Sequence, residues 1–391
     1  PLTNNDPSLK SVFATKETIW REEITFARWA YDACIPFNAL HSPYFQSAID
    51  AMVGIGRGFK EPSYHEIRVG LLKDYKKECQ LPVETYRSSW ESNGCTIMLD
   101  GWIDNKQRTL INFLVYCFAR LTFIKSVDAS DAVDAPTLVN LFHEVEWVGP
   151  KNVVHVVTNN AANYVAAGRL LHEKYDNIYW TPCARHCLNL LLKDIASMPH
   201  VDSLVSRASQ ILIFVTMFVY NHITFLSWLR KRSGWLEFVR PAITRFAACL
   251  ITLKSSIYNH KHDLQALVTS KHYTSHKLAK TSKGKNFSYI ILDAKFWDDC
   301  LLAIKVAAPI IRLLRIIDSN EKPSLGYVYD SMFRAKVAIK NVFDNQKKWY
   351  KPYTNLLKEH WGHLRKNLHV VAYYLNPAFM YYSNKMDKLE I

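Results

Sequence analysis

The sequence has none of the features that mark exported or disulfide-stabilised chains. Its eight cysteines are scattered without paired spacing, and no internal repeat is evident. It opens on Pro-Leu-Thr-Asn-Asn, with no initiator methionine and no apolar signal segment, so we expect a fragment or an excised region. The unpaired cysteines indicate reduced thiols in a cytosolic or nuclear protein rather than a disulfide scaffold.

Asp, Glu, Lys and Arg are also absent from residues 208–229, where residues 211–220 read ILIFVTMFVY. A membrane span needs about 20 predominantly apolar residues. This window contains seven polar side chains, so we expect a buried core helix here and no membrane partner.

The length and composition are those of a globular protein with two or more domains. The chain has 391 residues, and a single hydrophobic core stops growing at about 250–300 residues. Hydrophobic residues make up 49% and charged residues 21%, which excludes a disordered, collagen-like or coiled-coil protein.

The basic excess lies entirely in the second half of the chain. Residues 1–200 hold 20 Lys and Arg against 22 Asp and Glu, a net charge of −2. Residues 201–391 hold 29 against 13, a net charge of +16. Such a one-sided basic region favours a polyanionic partner, most commonly nucleic acid, and a merely soluble basic surface is the alternative.

The order of predicted elements indicates an α/β core between two helical regions. Helical periodicity covers residues 17–90 and returns from residue 201 onward. Between them, three β-rich runs precede alternating helices and strands, in the order βββ-α-β-α-β-α. This order matches a ribonuclease-H-like sheet, whereas a Rossmann unit would not begin with a three-strand meander. That topology places the ends of the first and fourth strands side by side.

Polar residues follow those two strand ends. Asp100 ends the first strand and Asn159 follows the fourth. A ribonuclease-H-like sheet gathers carboxylates around two divalent ions about 3.5–4 Å apart, and Mg²⁺ needs anionic oxygen ligands. Because Asn159 is neutral, we expect the second ion to bind poorly. Asp128, Asp131 and Asp134 follow the third strand and are expected to be solvated loop acids.

The chain carries eight motifs that resemble those of the hAT-type transposase-like proteins common in plant genomes and follow one another in the same order. In this group a domain of unknown function covers the catalytic core. The resemblance covers roughly residues 20–380. The motifs are GCTIMLDGW at 94–102, LINFLV at 110–115, KSVDAS at 125–130, VVTNNAANY at 156–164, YWTPCARHCL at 179–188, RPAITRF at 240–246, GYVY at 326–329 and LNP at 375–377.

The resemblance implies a catalytic Asp-Asp-Glu triad that binds Mg²⁺ or Mn²⁺, and a helical insertion that grips DNA. It also implies an upstream zinc-binding BED finger and a downstream dimerisation region. Asp100 matches the first Asp, in an Asp-x-Trp setting with Trp102, and Asn159 stands where the family has the second Asp. The final Glu, the BED finger and the region for homo-oligomer formation have no counterpart in this chain. We therefore expect a catalytically crippled transposase remnant with impaired metal binding.

Two further motifs of the family lie beside the site and in the insertion. Cys183 and His186 match a Cys-x-x-His motif, and we expect them to brace the core rather than form half a zinc site. Arg245 and Phe246 match a Thr-Arg-aromatic motif, which suits phosphate contact and base stacking. A helix-terminal arginine and a core phenylalanine are the alternative.

Residues 271–285 contain five lysines and no acid, and we predict a mobile loop between helices. A solvated loop is the default meaning of such a stretch, and DNA contact is the functional one. The candidate DNA-binding lysines are Lys271, Lys277, Lys280, Lys283 and Lys285.

These inferences predict three domains: a helical N-terminal segment (1–91), a ribonuclease-H-like core (92–200) and a basic helical insertion domain (201–391). The expected function is that of a nuclear, DNA-binding, hAT transposase-derived protein without strand-transfer activity. Two alternatives stay open. One is an active DNA transposase or nuclease in a longer native chain, and the other is a protein-interaction scaffold without DNA binding.

Overall fold

The fold combines a mixed five-stranded sheet with a large helical region. The computed structural model describes residues 15–56, 58–118, 120–130, 135–232, 248–319 and 324–380. The chain divides into two compact units, Pro1–Leu81 and Pro82–Ile391. This architecture agrees with the predicted α/β core accompanied by helices. The finer division into three domains stays a prediction.

The first unit consists of helices with almost no buried side chain. Of the residues described in this unit, Ala30 alone is buried, while large apolar side chains such as Trp20, Trp29 and Tyr64 are exposed. Within the described residues, these helices therefore bury almost no apolar side chain of their own. They are α1 (Lys16–Asp32), a 3₁₀ turn (Phe37–His41), α2 (Phe45–Ile55), a π-helical turn (Glu66–Leu71) and α3 (Leu72–Asn93), which continues into the second unit.

The second unit opens with the sheet. The predicted order βββ-α-β-α-β-α is confirmed by β1 (Cys95–Ile103), β2 (Thr109–Tyr116), β3 (Leu121–Asp128), α4 (Ala135–Val148), β4 (Val153–Thr158), α5 (Ala162–Lys174), β5 (Tyr179–Pro182) and α6 (Ala184–Ala196). Across the sheet the strands follow the order β3-β2-β1-β4-β5. The β1–β2 and β2–β3 pairs are antiparallel, and the β1–β4 and β4–β5 pairs are parallel.

Alternation along β1 fixes which face of the sheet is buried. Cys95, Ile97 and Leu99 are buried, whereas the intervening side chains are more exposed. Because side chains of a strand alternate between faces, Asp100 lies on the face opposite Leu99. At the end of α3, Trp90 is fully buried and packs edge-on against Trp147, with ring centroids 6.0 Å apart.

Every described element after α6 is helical, as the sequence predicts. The helices are α7 (Pro199–Phe214, continued by a π-helical turn at Val215–Val219), α8 (Ile223–Arg230), α9 (Ala248–Thr252, followed by a π turn at Leu253–Ile257 and a 3₁₀ turn at Tyr258–His260), α10 (Lys261–Thr269), α11 (Lys271–Thr274), α12 (Lys277–Lys280), α13 (Ser282–Leu292), α14 (Ala294–Asp318), α15 (Leu325–Val342), α16 (Lys347–Leu364), α17 (Asn367–Tyr374) and α18 (Pro377–Met380).

One helix among the described residues is long and apolar enough to cross a membrane, judged by length and composition. It is Pro199–Val219, with a mean hydropathy of 1.3. Core helices of globular proteins meet the same criterion, and one face of this helix packs into the hydrophobic core of the helical region. The side chains on that face are Val201, Leu204, Ala208, Ile211, Phe214, Val215 and Val219.

The expectation of a mobile loop at residues 271–285 is wrong, because this stretch folds into α11, α12 and the start of α13. Ser270 and Thr281 cap two of these helices, accepting hydrogen bonds from Tyr273 N and Gly284 N. Tyr273 is buried and donates from its hydroxyl to Gly284 O at 3.0 Å. These polar caps and the buried tyrosine stabilise the short helices. Lysine content alone had indicated a loop here.

Candidate functional site

The parallel pairing of β1 with β4 brings the two predicted site residues together. Met98 of β1 pairs with Val157 of β4, and Asp100 and Asn159 each lie two residues further along their strands. The Asn159 side-chain amide donates a hydrogen bond to Gly101 O at 3.4 Å. Asp100 and Asn159 are therefore neighbours. The expectation that Asp100 ends the first strand is wrong, because β1 continues to Ile103 and keeps pairing with β2 there.

Tyr164 borders this site, and sequence reasoning did not identify it as a site residue. It lies in the first turn of α5, is buried, and places its hydroxyl 3.0 Å from the position that a Cβ on Gly101 would occupy. Burial raises the pKa of Tyr164, and the nearby Asp100 carboxylate raises it further. The sequence could have indicated Tyr164, because the helix that follows β4 starts at the same sheet edge as Asn159 and Tyr164 lies in its first turn.

Cys183 and His186 reach the same edge from the turn between β5 and α6. Cys183 N donates to Thr158 O at 2.6 Å, which ties the start of α6 to the end of β4. Burial raises the pKa of the Cys183 thiol, the backbone N–H groups of His186 and Arg185 oppose the rise, and Asp100 adds to it. Burial also lowers the pKa of His186, while the negative charge of Asp100 acts in the opposite direction. The Asp100 carboxylate thus acts electrostatically on Tyr164, Cys183 and His186.

A close contact between α5 and β5 holds Tyr164 in place. A Cβ on Gly168 of α5 would lie 2.5 Å from the Trp180 ring, so the helix approaches β5 as closely as only glycine permits. Trp180 in turn donates from its indole nitrogen to the Thr158 hydroxyl at 3.0 Å. The helix, β5 and the end of β4 therefore form one packed unit behind the site.

The donor set at the strand ends does not fit a pair of divalent ions. Asp100 supplies an exposed carboxylate, and Asn159 supplies at most one neutral carbonyl oxygen. Within the part of the chain that the structure describes, no group of three His, Cys, Asp or Glu side chains is placed to hold a metal ion. Two closely spaced dications require several anionic oxygens between them.

The other predicted residues near the sheet lie further along the strands or outside the described residues. Trp102 is exposed, pairs with Leu110 on β2, and lies two residues beyond Asp100 on the same face of β1. Asp128 accepts hydrogen bonds from Ser130, which lower its pKa. The predicted site residues and acids outside the described residues are Arg245, Phe246, Asp131 and Asp134.

The lysines of residues 271–285, which we call the lysine segment, are presented on α11, α12 and the first turn of α13. All five side chains are exposed, whereas Tyr273 and Leu278 between them are buried. The apolar residues thus anchor the segment, and its cationic groups are left in solvent. The exposed lysines are Lys271, Lys277, Lys280, Lys283 and Lys285.

Two imidazoles, of half-buried His155 and buried His369, lie close enough for one to act on the other. His155 of β4 makes a 2.9 Å hydrogen bond with the Thr181 hydroxyl, and His369 of α17 accepts from Lys366 N at 3.3 Å. Burial lowers the pKa of each to about 4, and His369 contributes to the lowering at His155. Both imidazoles are therefore neutral at pH 7.

Comparison with known families gives one match. Residues 62–211 match the family described as Domain of unknown function (DUF659), which is found in transposase-like proteins of the hAT type. The matched range includes the whole sheet and every residue placed at the strand ends. No curated protein matches the chain.

The contact between Gly101 and Tyr164 predicts a specific coupling. In Gly101→Ala the new Cβ meets the Tyr164 hydroxyl, and we expect a loss of unfolding free energy of about 1–3 kcal/mol. Tyr164→Phe removes that oxygen, so the double variant should be more stable than the sum of the single variants predicts. Urea unfolding of the four proteins measures the coupling, and strictly additive losses would contradict the contact.

The buried imidazoles predict a loss of stability at acidic pH. Their pKa is about 4 in the folded protein and about 6.5 in an unfolded chain. Between these values the unfolded state binds more protons, so stability is complete above the unfolded pKa and falls as the pH drops towards 4. The expected slope is about 1.4 kcal/mol per pH unit per imidazole at most.

Urea unfolding measured between pH 7.5 and 4.5 checks this dependence. His155→Gln, which keeps a polar group near Thr181, and His369→Gln should each make the dependence shallower. Exposed His41, changed to Gln, is the matched control. If the two buried-site variants retained the wild-type slope, these imidazoles would not be its source.

Proposed function

We propose that this protein binds DNA, that its sheet belongs to the ribonuclease-H-like class, and that it derives from a hAT-type transposase without retaining strand transfer. The observation that carries the proposal is the lysine segment, which presents five exposed lysines on anchored helices. It lies in the half of the chain with a net charge of +16. Phosphate contacts by lysine supply most of the affinity of sequence-independent DNA binding.

The fold part of the proposal draws on strand order. An antiparallel β1–β2–β3 meander followed by parallel β4 and β5, with helices between them, is what a ribonuclease-H-like sheet requires. The DUF659 match over residues 62–211 is consistent with a transposase-like ancestry. The motifs beyond residue 211, from RPAITRF at 240–246 to LNP at 375–377, extend the resemblance through the helical region.

The loss of strand transfer is proposed from Asn159. In-line phosphodiester chemistry depends on two ions that stabilise the attacking and leaving oxygens. With an amide in place of the second carboxylate, the site lacks a negative charge where two dications must be held. The Asn159 amide instead donates a hydrogen bond to Gly101 O, which a carboxylate could not do.

A DNA-binding role implies a nuclear protein whose principal partner is DNA. A protein-interaction role is the second candidate, favoured by the exposed apolar side chains of the first unit. The two roles differ in salt dependence, because only phosphate contacts release counterions from DNA.

DNA binding through the lysine segment predicts a steep and variant-sensitive salt dependence. We expect fluorescence anisotropy on short duplex DNA to give an affinity that falls linearly with salt on logarithmic axes. Changing all five lysines of the segment to Gln should reduce the slope by about 0.9 for each phosphate that a lysine no longer neutralises.

The matched control changes five exposed lysines outside the segment, namely Lys73, Lys76, Lys77, Lys106 and Lys151, to Gln. It removes the same charge and should leave most of the slope in place. Equal slopes for the wild type and the segment variant would remove the lysine segment from DNA binding. Binding that does not depend on salt would favour the protein-interaction role.

The missing carboxylate predicts a gain of metal affinity on restoration. Asn159→Asp should tighten Mn²⁺ binding by about tenfold, because two carboxylates rather than one would then face the ion. Titration calorimetry measures the affinity. The control is the double variant Asp100→Asn/Asn159→Asp, which keeps one carboxylate and should bind like the wild type. Unchanged Mn²⁺ affinity in Asn159→Asp would show that the two positions do not share an ion.

A further inference from the structure

A small cavity opens between α7 and α13 in the helical region. Its volume is about 160 Å³. Phe214 and Phe287 are stacked at its base with ring centroids 4.4 Å apart, and Phe218 lies 5.3 Å from Phe214. Its complete lining is Gln210, Ile213, Phe214, Phe218, Lys283, Asn286 and Phe287.

The cavity has the size of one six-membered ring. An apolar cavity of about 150 Å³ in another protein is known to hold benzene, and the present cavity is of similar volume at 160 Å³. A two-ring purine would exceed this volume and project from the open side into solvent. Phe218 is half-buried and offers ring surface to an aromatic ligand, whereas Phe214 and Phe287 are almost fully buried and close the base.

Polar groups stand at the rim of this aromatic cavity. Gln210 and Asn286 are exposed and joined by a 2.7 Å hydrogen bond from Asn286 Nδ2 to Gln210 Oε1. That bond leaves the Gln210 amide nitrogen and the Asn286 carbonyl oxygen as a donor and an acceptor at the rim. A heterocycle with both donors and acceptors on its edge, such as a pyrimidine base, matches this pair better than a hydrocarbon does.

A cation completes the arrangement. The ammonium group of Lys283 lies 5.4 Å from the centroid of the Phe218 ring, at the mouth of the cavity. Lys283 belongs to the lysine segment, so the aromatic cavity opens at the edge of the most basic stretch of the chain. Aromatic surfaces interleaved with cations are the combination that binds unpaired nucleotides, with rings packing on bases and cations on phosphates.

We infer that this cavity binds a single unpaired pyrimidine base of a DNA strand, whose phosphate is held by Lys283. The inference rests on the proposed DNA binding and adds a preference to it: the lysine segment attracts any DNA, and the cavity selects strands with an exposed pyrimidine. A base within a duplex is paired and stacked and cannot enter.

The test compares the affinities of the full chain for fluorescent single strands of equal length that carry thymine, adenine or no base. The thymine strand should bind roughly 5- to 100-fold tighter than the abasic strand. It should also bind tighter than the adenine strand. Ile213→Trp, which fills the mouth from an exposed position, should abolish the thymine preference. Ile223→Trp, which is also at an exposed position but outside the cavity, should retain it.

Two further readouts keep the test decisive if a variant folds poorly. Lys283→Ala should weaken thymine-strand binding more than the charge-matched Lys295→Ala, since Lys295 is exposed on α14 and does not line the cavity. A strand with 5-iodouracil, irradiated on the wild-type protein, should crosslink to a peptide that contains Phe218 or Phe287.

Equal affinity for thymine and abasic strands, a thymine preference that survives Ile213→Trp, or crosslinks confined to other peptides would each overturn the inference. In those cases salt-dependent duplex binding would still be measured, and the proposed function would stand. An absence of salt-dependent binding to every strand and duplex would instead overturn both.

Discussion

The parallel pairing of β1 with β4 is the constraint on which the candidate site depends. It requires the chain to leave β3, cross over through α4 and return beside β1 in the same direction. Once that pairing exists, β1 and β4 run towards the same edge of the sheet in a register that puts Asp100 next to Asn159. The helix after β4 and the turn after β5 start at that edge too. Tyr164, Cys183 and His186 therefore lie at the same edge of the sheet as Asn159.

The proposed DNA binding and the proposed loss of strand transfer depend on charges in different parts of the second unit. Beside β1 and β4, the single carboxylate of Asp100 acts on Tyr164 and Cys183, which are neutral at pH 7, and Asn159 stands where the proposed metal site would need a second acid. In the helical region the lysines stand in solvent, because buried Tyr273 and Leu278 occupy the positions that face the core. A surface of this kind retains attraction for a polyanion even where phosphodiester chemistry is lost.

Much of the fold could be predicted from the sequence, because β-rich runs and helical periodicity are local signals. The order of elements along the chain follows from such runs. That Asp100 and Asn159 lie close together was expected from the ribonuclease-H-like topology which this order matches. The lysine segment was misjudged for an equally physical reason: its helices are short and depend on caps from Ser270 and Thr281 and on a buried tyrosine, which composition does not reveal. Tyr164 was missed because an aromatic residue in an amphipathic helix is ordinarily a core residue.

The sequence by itself determined the element types, the charge asymmetry and the presence of Asn159 where a second carboxylate would be needed, since these depend on residue identity and short-range pattern. Only the tertiary structure decided that Asp100 acts on Tyr164, Cys183 and His186, and that Lys283 stands over Phe218 at the mouth of an aromatic cavity. The reason is distance along the chain. Lys283 and Phe218 are 65 positions apart in the sequence, and no local pattern encodes a contact made by packing α13 against the helix that continues α7.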